Sequence, residues 1–139
     1  MSPRFEDVLP GTEPPPLVIG PITRTDFVRY QGASGDMNPV HHDELFATNA
    51  GFPAPLGIGM FTAGCMNTWA TDWLGPANVR RTRMRWKKTV FPGATVTFSG
   101  VVSARDEATR TVELSLQGVD QQGQVVVQGW MDFVLPEPE

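Results

Sequence analysis

The sequence predicts an α+β fold: a curved antiparallel sheet wrapped around one long helix. Three observations predict it. The stretch Leu56–Trp73 carries Leu56, Ile58, Met60, Phe61, Ala63, Cys65, Met66, Trp69 and Trp73, so a helix there is apolar on nearly every face. Such a helix is expected to be buried on all sides. After Gly75-Pro76 the apolar period changes to two, the mark of strands with one covered face. Finally, 139 residues make one domain, long enough to bury a core without staples, and a single cysteine excludes an intramolecular disulfide framework.

The elements follow in order. Pro14, Pro15 and Pro16 mark residues 1–16 as an extended lead-in, because consecutive prolines cannot continue a helix. Leu17–Ile22 reads as a short edge strand. Thr23 is the N-cap of a helix over Arg24–Ser34, with Asp26 at its third position and Phe27, Val28 and Tyr30 toward a core. Gly35 suits its C-terminal stop. In the next loop Pro39 biases Asn38 to extended geometry, so a shaped turn is expected there. Asp43 caps a second short helix to Asn49, and Gly51–Pro55 is a break before the long helix. Four strands come next. Their apolar positions are Thr82, Met84, Trp86 and Val90; Val96, Phe98, Gly100 and Val102; Val112, Leu114 and Leu116; and Val125, Val127, Met131 and Phe133. Pro92-Gly93, Arg105–Thr109 and Gln121-Gln122-Gly123 are the turns between them. No repeat or linker divides the chain, so residues 1–139 are read as one domain.

Composition excludes several functions. Apolar residues make up 40% and charged residues 19%, ordinary for a globular protein and wrong for a disordered one. The net charge of −4 disfavours general binding to nucleic acid or an anionic membrane. Two adjacent histidines and one cysteine offer no metal cluster. Residues 1–9, MSPRFEDVL, do not read as a secretory signal, and Ala54–Met66 is too short and glycine-rich to span a bilayer. A soluble cytoplasmic protein is expected.

Chemistry concentrates in Gly35-Asp36-Met37-Asn38-Pro39-Val40-His41. A carboxylate and an imidazole stand five residues apart across a proline-stiffened turn. Such a turn can bring both to bear on one small molecule, for example a water. The imidazole can give or take a proton near neutral pH, and the carboxylate accepts hydrogen bonds. The alternative is structural: Asp36 caps the turn through its own backbone and His41 packs on the core.

Tyr30-Gln-Gly-Ala-Ser-Gly-Asp36-Met-Asn-Pro-Val-His41, with Phe46-Ala47 beyond it, resembles the signature of the MaoC-like dehydratases, or (R)-specific enoyl-CoA hydratases. Ala33 is a mild departure, where the family usually has a larger aliphatic residue or glycine. The resemblance continues through Gly59-Met60 and Phe91-Pro92-Gly93. It implies the hot-dog fold, the same helix-in-sheet arrangement. It also implies a reaction: reversible addition of water to a trans-2-enoyl thioester, giving the (R)-3-hydroxyacyl thioester. Asp36 and His41 align with the catalytic pair that holds the water. The backbone N–H of Gly59, near the helix start, aligns with the group that stabilises charge on the thioester oxygen; close helix packing is its alternative role. Asn38 and Asn67 are assigned to support the pair, Asn67 standing where a small hydroxyl residue often does. Its alternative is a surface or helix-capping amide. Ile58 replaces a histidine that often precedes the glycine.

Other residues receive plainer roles. His42 has no place in the motif and is expected to be solvated, and Cys65 to be a buried small hydrophobe. Gly57 and Gly64 serve close packing or make room for an acyl chain, whose channel Trp69 and Trp73 would close. Arg80–Lys88 holds six of the eleven basic residues. Most of that strip is read as the wet face of a strand, with one or two of Arg83, Arg85 and Lys87 touching coenzyme A phosphate. The substrate's coenzyme A is the only cofactor-like group implied; no metal is. Relatives join sheets across exposed edges, so at least a homodimer is expected, or a hetero-oligomer with a related subunit. A hot-dog thioesterase, or an acyl-thioester-binding subunit of a hetero-oligomeric dehydratase, is the alternative function.

Overall fold

The computed structural model describes residues 3–137. Residues 1 and 2 of the lead-in lie outside the described residues. The elements are β1 (Leu17–Ile19), α1 (Arg24–Ser34), α2 (Glu44–Asn49), α3 (Gly59–Leu74), β2 (Val79–Trp86), β3 (Val96–Asp106), β4 (Thr111–Asp120) and β5 (Val125–Val134). Single 3₁₀ turns stand at Phe5–Asp7, Pro39–His41 and Pro76–Asn78. One antiparallel sheet has the order β1-β3-β4-β5-β2, and α3 lies across its inner face.

Local chemistry sets α1. Thr23 Oγ1 accepts from the Asp26 N–H while Asp26 Oδ2 accepts from the Thr23 N–H at 2.8 Å, a reciprocal capping box. Gly35, at φ 77°, ends the helix in the left-handed region that favours glycine. Phe27 is fully buried and Tyr30 packs edge-on to Phe61, but Val28, expected in the core, is exposed. The helix is short and rests on the core along one narrow line.

Three expected boundaries move, each for a backbone reason. β1 stops at Ile19 because Gly20 presses against Thr95, where a Cβ would lie 2.6 Å from Thr95 Cα, and Pro21 has no N–H to give. Pairing resumes at Ile22, whose N–H donates to Ala94 O at 2.8 Å. β2 ends at Trp86 rather than near Val90, since the N–H groups of Lys87 and Lys88 both turn to Val126 O. α3 starts at Gly59 rather than Leu56: the N–H groups of Leu56 and Gly57 are taken by Val40 O and Val90 O, holding that segment extended.

The core lies between α3 and the sheet. Met66, Trp69, Ala70 and Leu74 meet Phe98, Val102, Leu114, Leu116, Met131 and Phe133. Each large side chain buried this way contributes on the order of 1.5–3 kcal/mol. α3 is not covered on every side, however. Met60 and Thr68 are exposed, so the sheet wraps one flank and leaves the other open. Nor is the lead-in merely extended: Phe5 is buried with the Arg105 guanidinium 4.0 Å over its ring. Among the described residues no helix is long and apolar enough to cross a membrane.

Glycines let the sheet approach the helix. A Cβ on Gly100 would lie 2.9 Å from both Trp69 Cζ3 and Ser115 O, and one on Gly129 would lie 2.4 Å from Met66 Cε. Gly100→Ala should therefore cost about 1–3 kcal/mol and lower Tm in a circular-dichroism melt. The capping box makes a second prediction. Hydrogen bonds from the Thr23 backbone and hydroxyl hold the Asp26 carboxyl below its ordinary range. A folded value below the unfolded one stabilises at neutral pH, and that contribution is lost as pH falls through the folded value. Asp26→Asn should flatten the acid limb of the urea midpoint below about pH 4.

Candidate active site

The site is built on the loop between α1 and α2. Asp36 Oδ1 accepts from the Asn38 N–H at 3.2 Å, and Asn38 Oδ1 accepts from the Val40 N–H at 3.1 Å. Two successive side chain–backbone turns thus shape the loop, with Pro39 opening the 3₁₀ turn that carries His41. Asp36 is left with Oδ2 free to face His41, and its side chain is 45% exposed. His41 is buried. Its Nδ1 lies 2.7 Å from Leu56 O, a carbonyl that can only accept, so Nδ1 carries a hydrogen. Nε2 is then the ring atom free to exchange a proton, and it stands 3.9 Å from Asp36 Oδ2.

The two expected residues do come together: one oxygen of Asp36 makes the turn and the other is left toward His41. Asn38 belongs to the same loop, its N–H on Asp36 Oδ1 and its own Oδ1 on the Val40 N–H. Asn67 stands beyond the second turn of α3, makes no hydrogen bond to Asp36, and has its Oδ1 buried without a partner among the described residues.

A cavity of about 380 Å³ opens beside His41, between the start of α3 and the end of β2. Gly57, Gly59, Thr62, Trp86, Lys87 and Lys88 are among its walls. Ile58 caps α3 with no side-chain hydrogen bond. Among the described residues the N–H groups of Gly59 and Met60 meet no acceptor, so the positive end of the helix is unspent beside the cavity. The Gly59 carbonyl is pinned by Trp86 Nε1 at 2.7 Å and Thr62 Oγ1 at 2.9 Å. Both donors were hidden in the sequence, Trp86 as one aromatic in a strand alternation and Thr62 as a hydroxyl within an apolar helix.

The basic strip divides by strand geometry. Arg83 pairs with Trp130 and Arg85 with Gln128 on the outer face of the sheet, with the Arg83 guanidinium 5.8 Å over the Trp130 ring. The cavity is on the inner face, so these two arginines are not brought to it. Lys87 is, because the strand has already ended there. Lys88 also borders it and pairs with Asp120 at 2.8 Å. A larger hollow of about 800 Å³ lies elsewhere, bordered by Pro14–Pro16, Ser115, Gln128 and Trp130, and contains neither Asp36 nor His41.

His42 is exposed, as expected, and is also tied down: its Nδ1 lies 2.9 Å from Gln31 Oε1. Gln31 itself is only 2% exposed and donates to Asp36 O at 2.8 Å and Asn38 O at 3.1 Å. Cys65 is half-buried, and burial pushes its thiol up, away from nucleophilic use. No group of three or more His, Cys, Asp or Glu among the described residues is placed to hold a metal ion.

Comparison with known proteins gives a family match. The family model described as "MaoC like domain" matches residues 8–122. The chain is 37% identical over 99 residues to 3-hydroxyacyl-thioester dehydratase Y of Mycobacterium tuberculosis, covering 68% of this chain and 32% of the relative. It is 33% identical over 99 residues to enoyl-CoA hydratase ChsH3 of the same organism, covering 69% and 34%. The chain thus spans about a third of the length of these two curated relatives. A solved structure of an (R)-hydratase from A. caviae superposes with TM-score 0.85 at 25% identity, covering 94% of this chain and 99% of that one.

Gly59 offers a test of the pinned helix start. A Cβ there would lie 3.0 Å from Trp86 Nε1. Gly59→Ala should push the indole away and break its bond, at about 1 kcal/mol. Trp86→Phe should cost a similar amount, and the double variant little more than either alone, read as Tm in a double-mutant cycle.

Proposed function

The chain belongs to the MaoC-like domain family and has the hot-dog fold, and from that premise we propose that it hydrates a trans-2-enoyl-CoA thioester to the (R)-3-hydroxyacyl-CoA, or runs the reverse dehydration. One observation carries the reading: Asp36 Oδ2 and His41 Nε2 stand 3.9 Å apart, and His41 shares its cavity with the start of α3, which no side chain caps. A water at an ordinary ~2.8 Å from both atoms would sit at an angle of about 90°, within reach of two hydrogen bonds.

In the forward direction that water gives one hydrogen bond to each member of the pair and turns a lone pair toward C3. The C3–O bond forms as the pair takes the proton. The π electrons move through C2 toward the thioester oxygen, where the Gly59 N–H and the helix dipole meet the growing charge. The pair then delivers the proton to C2, the electrons return, and one water has been added. The Nδ1 bond to Leu56 O keeps Nε2 as the exchanging atom throughout.

Coenzyme A would lie along the cavity mouth, where Lys87 offers a cation to its phosphates. Assembly as a homodimer, or with a related subunit, fits the exposed edge of β2 and the exposed Met37, Phe46, Met60 and Trp86 around the site.

The test is loss of the conjugated-thioester absorbance on adding the protein to enoyl-CoA substrates of graded chain length. Asp36→Asn and His41→Gln should each lower kcat by about 10²–10⁴-fold with a smaller change in KM. No hydration with any substrate would sink the reading. Release of free thiol from acyl-CoA would assign a thioesterase instead.

A further inference from the structure

We propose that Gln31 is the positioning residue of the catalytic loop, its carboxamide held in one orientation by His42 so that the backbone from Asp36 to Asn38 fixes the Asp36–His41 spacing. This rests on the hydration reading for the word catalytic, but not for its geometry.

The orientation follows from donor and acceptor counting. Gln31 Nε2 meets two backbone carbonyl oxygens, Asp36 O and Asn38 O. Carbonyls only accept, so the amide nitrogen must face the loop and both of its hydrogens are used. Oε1 is thereby turned to His42 Nδ1, 2.9 Å away. An amide oxygen also only accepts, so His42 Nδ1 must carry a hydrogen. The whole side chain is satisfied at 2% exposure, where an unpaired donor or acceptor would be costly.

The same residue ties the helix to the loop. The Gln31 carbonyl accepts from the Gly35 N–H at 2.9 Å, closing α1, while its side chain reaches past that cap to the two residues around Met37. Asp36 and Asn38 are also the residues whose side chains make the loop's two local turns. Gln31 therefore holds their carbonyls while those turns hold their side chains, and the segment has little freedom left. No other side chain bonds to both carbonyls among the described residues. A glutamate of the same shape would set one oxygen against both carbonyls and lose those two bonds, while its other oxygen still accepts from His42 Nδ1.

The experiment uses the intact chain and two readouts. The chain has two histidines, so ring-¹⁵N labelling shows His41 and His42 alone. In the wild type both should carry their hydrogen on Nδ1 when neutral. Gln31→Met should release the His42 tautomer and leave that of His41 unchanged. The same variant, and Gln31→Glu more strongly, should lower kcat by about 10–100-fold, the cost of a misplaced reacting group, with KM little changed. His42→Asn keeps a donor near the Nδ1 position and should retain kcat, whereas His42→Phe should lose it in part. A wild-type His42 that carries its hydrogen on Nε2 overturns the proposal outright. So does a folded Gln31→Met with wild-type kcat. If the Gln31 variants fail to fold, the wild-type spectrum and the two His42 variants still decide. Absence of hydration by the wild type would remove the proposed reaction without moving the spectrum.

Discussion

The extended segment Leu56–Ile58 is the tie on which the site depends. Its backbone is shared among three neighbours. The Leu56 N–H goes to Val40 O and its carbonyl receives His41 Nδ1, which joins it to the loop. The Gly57 N–H goes to Val90 O at 2.7 Å, which joins it to the chain leaving β2. A Cβ on Gly57 would lie 3.1 Å from Val90 O and 3.3 Å from Phe27 Cε1, so the approach to α1 needs a glycine as well. Were the segment helical, Leu56 would not meet Val40, and His41 would lose the acceptor that selects its tautomer.

The second constraint is the close contact of sheet and helix. Strands alternate, so a sheet that presses on Trp69 and Met66 must leave out side chains at the points of nearest approach. Gly100 and Gly129 occupy those points. The outer face bears the consequence of the same alternation: Arg83, Arg85, Ser115, Gln128 and Trp130 all point away from α3. Charge that looks like one strip in sequence is thus split between a strand's outer face and the segment beyond its end, where Lys87 borders the cavity.

The fold was legible because its signals are local. Thr23, Asp26 and Gly35 give α1 its bounds through contacts within a few residues, and the period of two marks β3, β4 and β5. The three displaced boundaries share one cause. Gly20, Lys87 and Leu56 each surrender a boundary to a hydrogen bond or contact with a distant strand or loop. Part of the site was legible for the same local reason, since Asp36 and His41 lie across one short turn. Gln31 was in view within that motif but without a role, because its partner His42 is eleven residues away and its own burial is a tertiary fact. Asn67, an amide on the long helix that suggested support for the carboxylate, makes no hydrogen bond to it and keeps a buried Oδ1 without a partner among the described residues.

Hydrophobic period, capping and turn chemistry act over a few residues, so the order of the elements and the pairing of Asp36 with His41 across one turn are written in local pattern. How that pair is held depends on the folded chain. The acceptor for His41 Nδ1, the donors on the Gly59 carbonyl and the bonds that orient Gln31 come from segments that the folding of the whole chain brings together. Local pattern carries no record of such partners, since each satisfies a polar group left over once the helices and strands are formed.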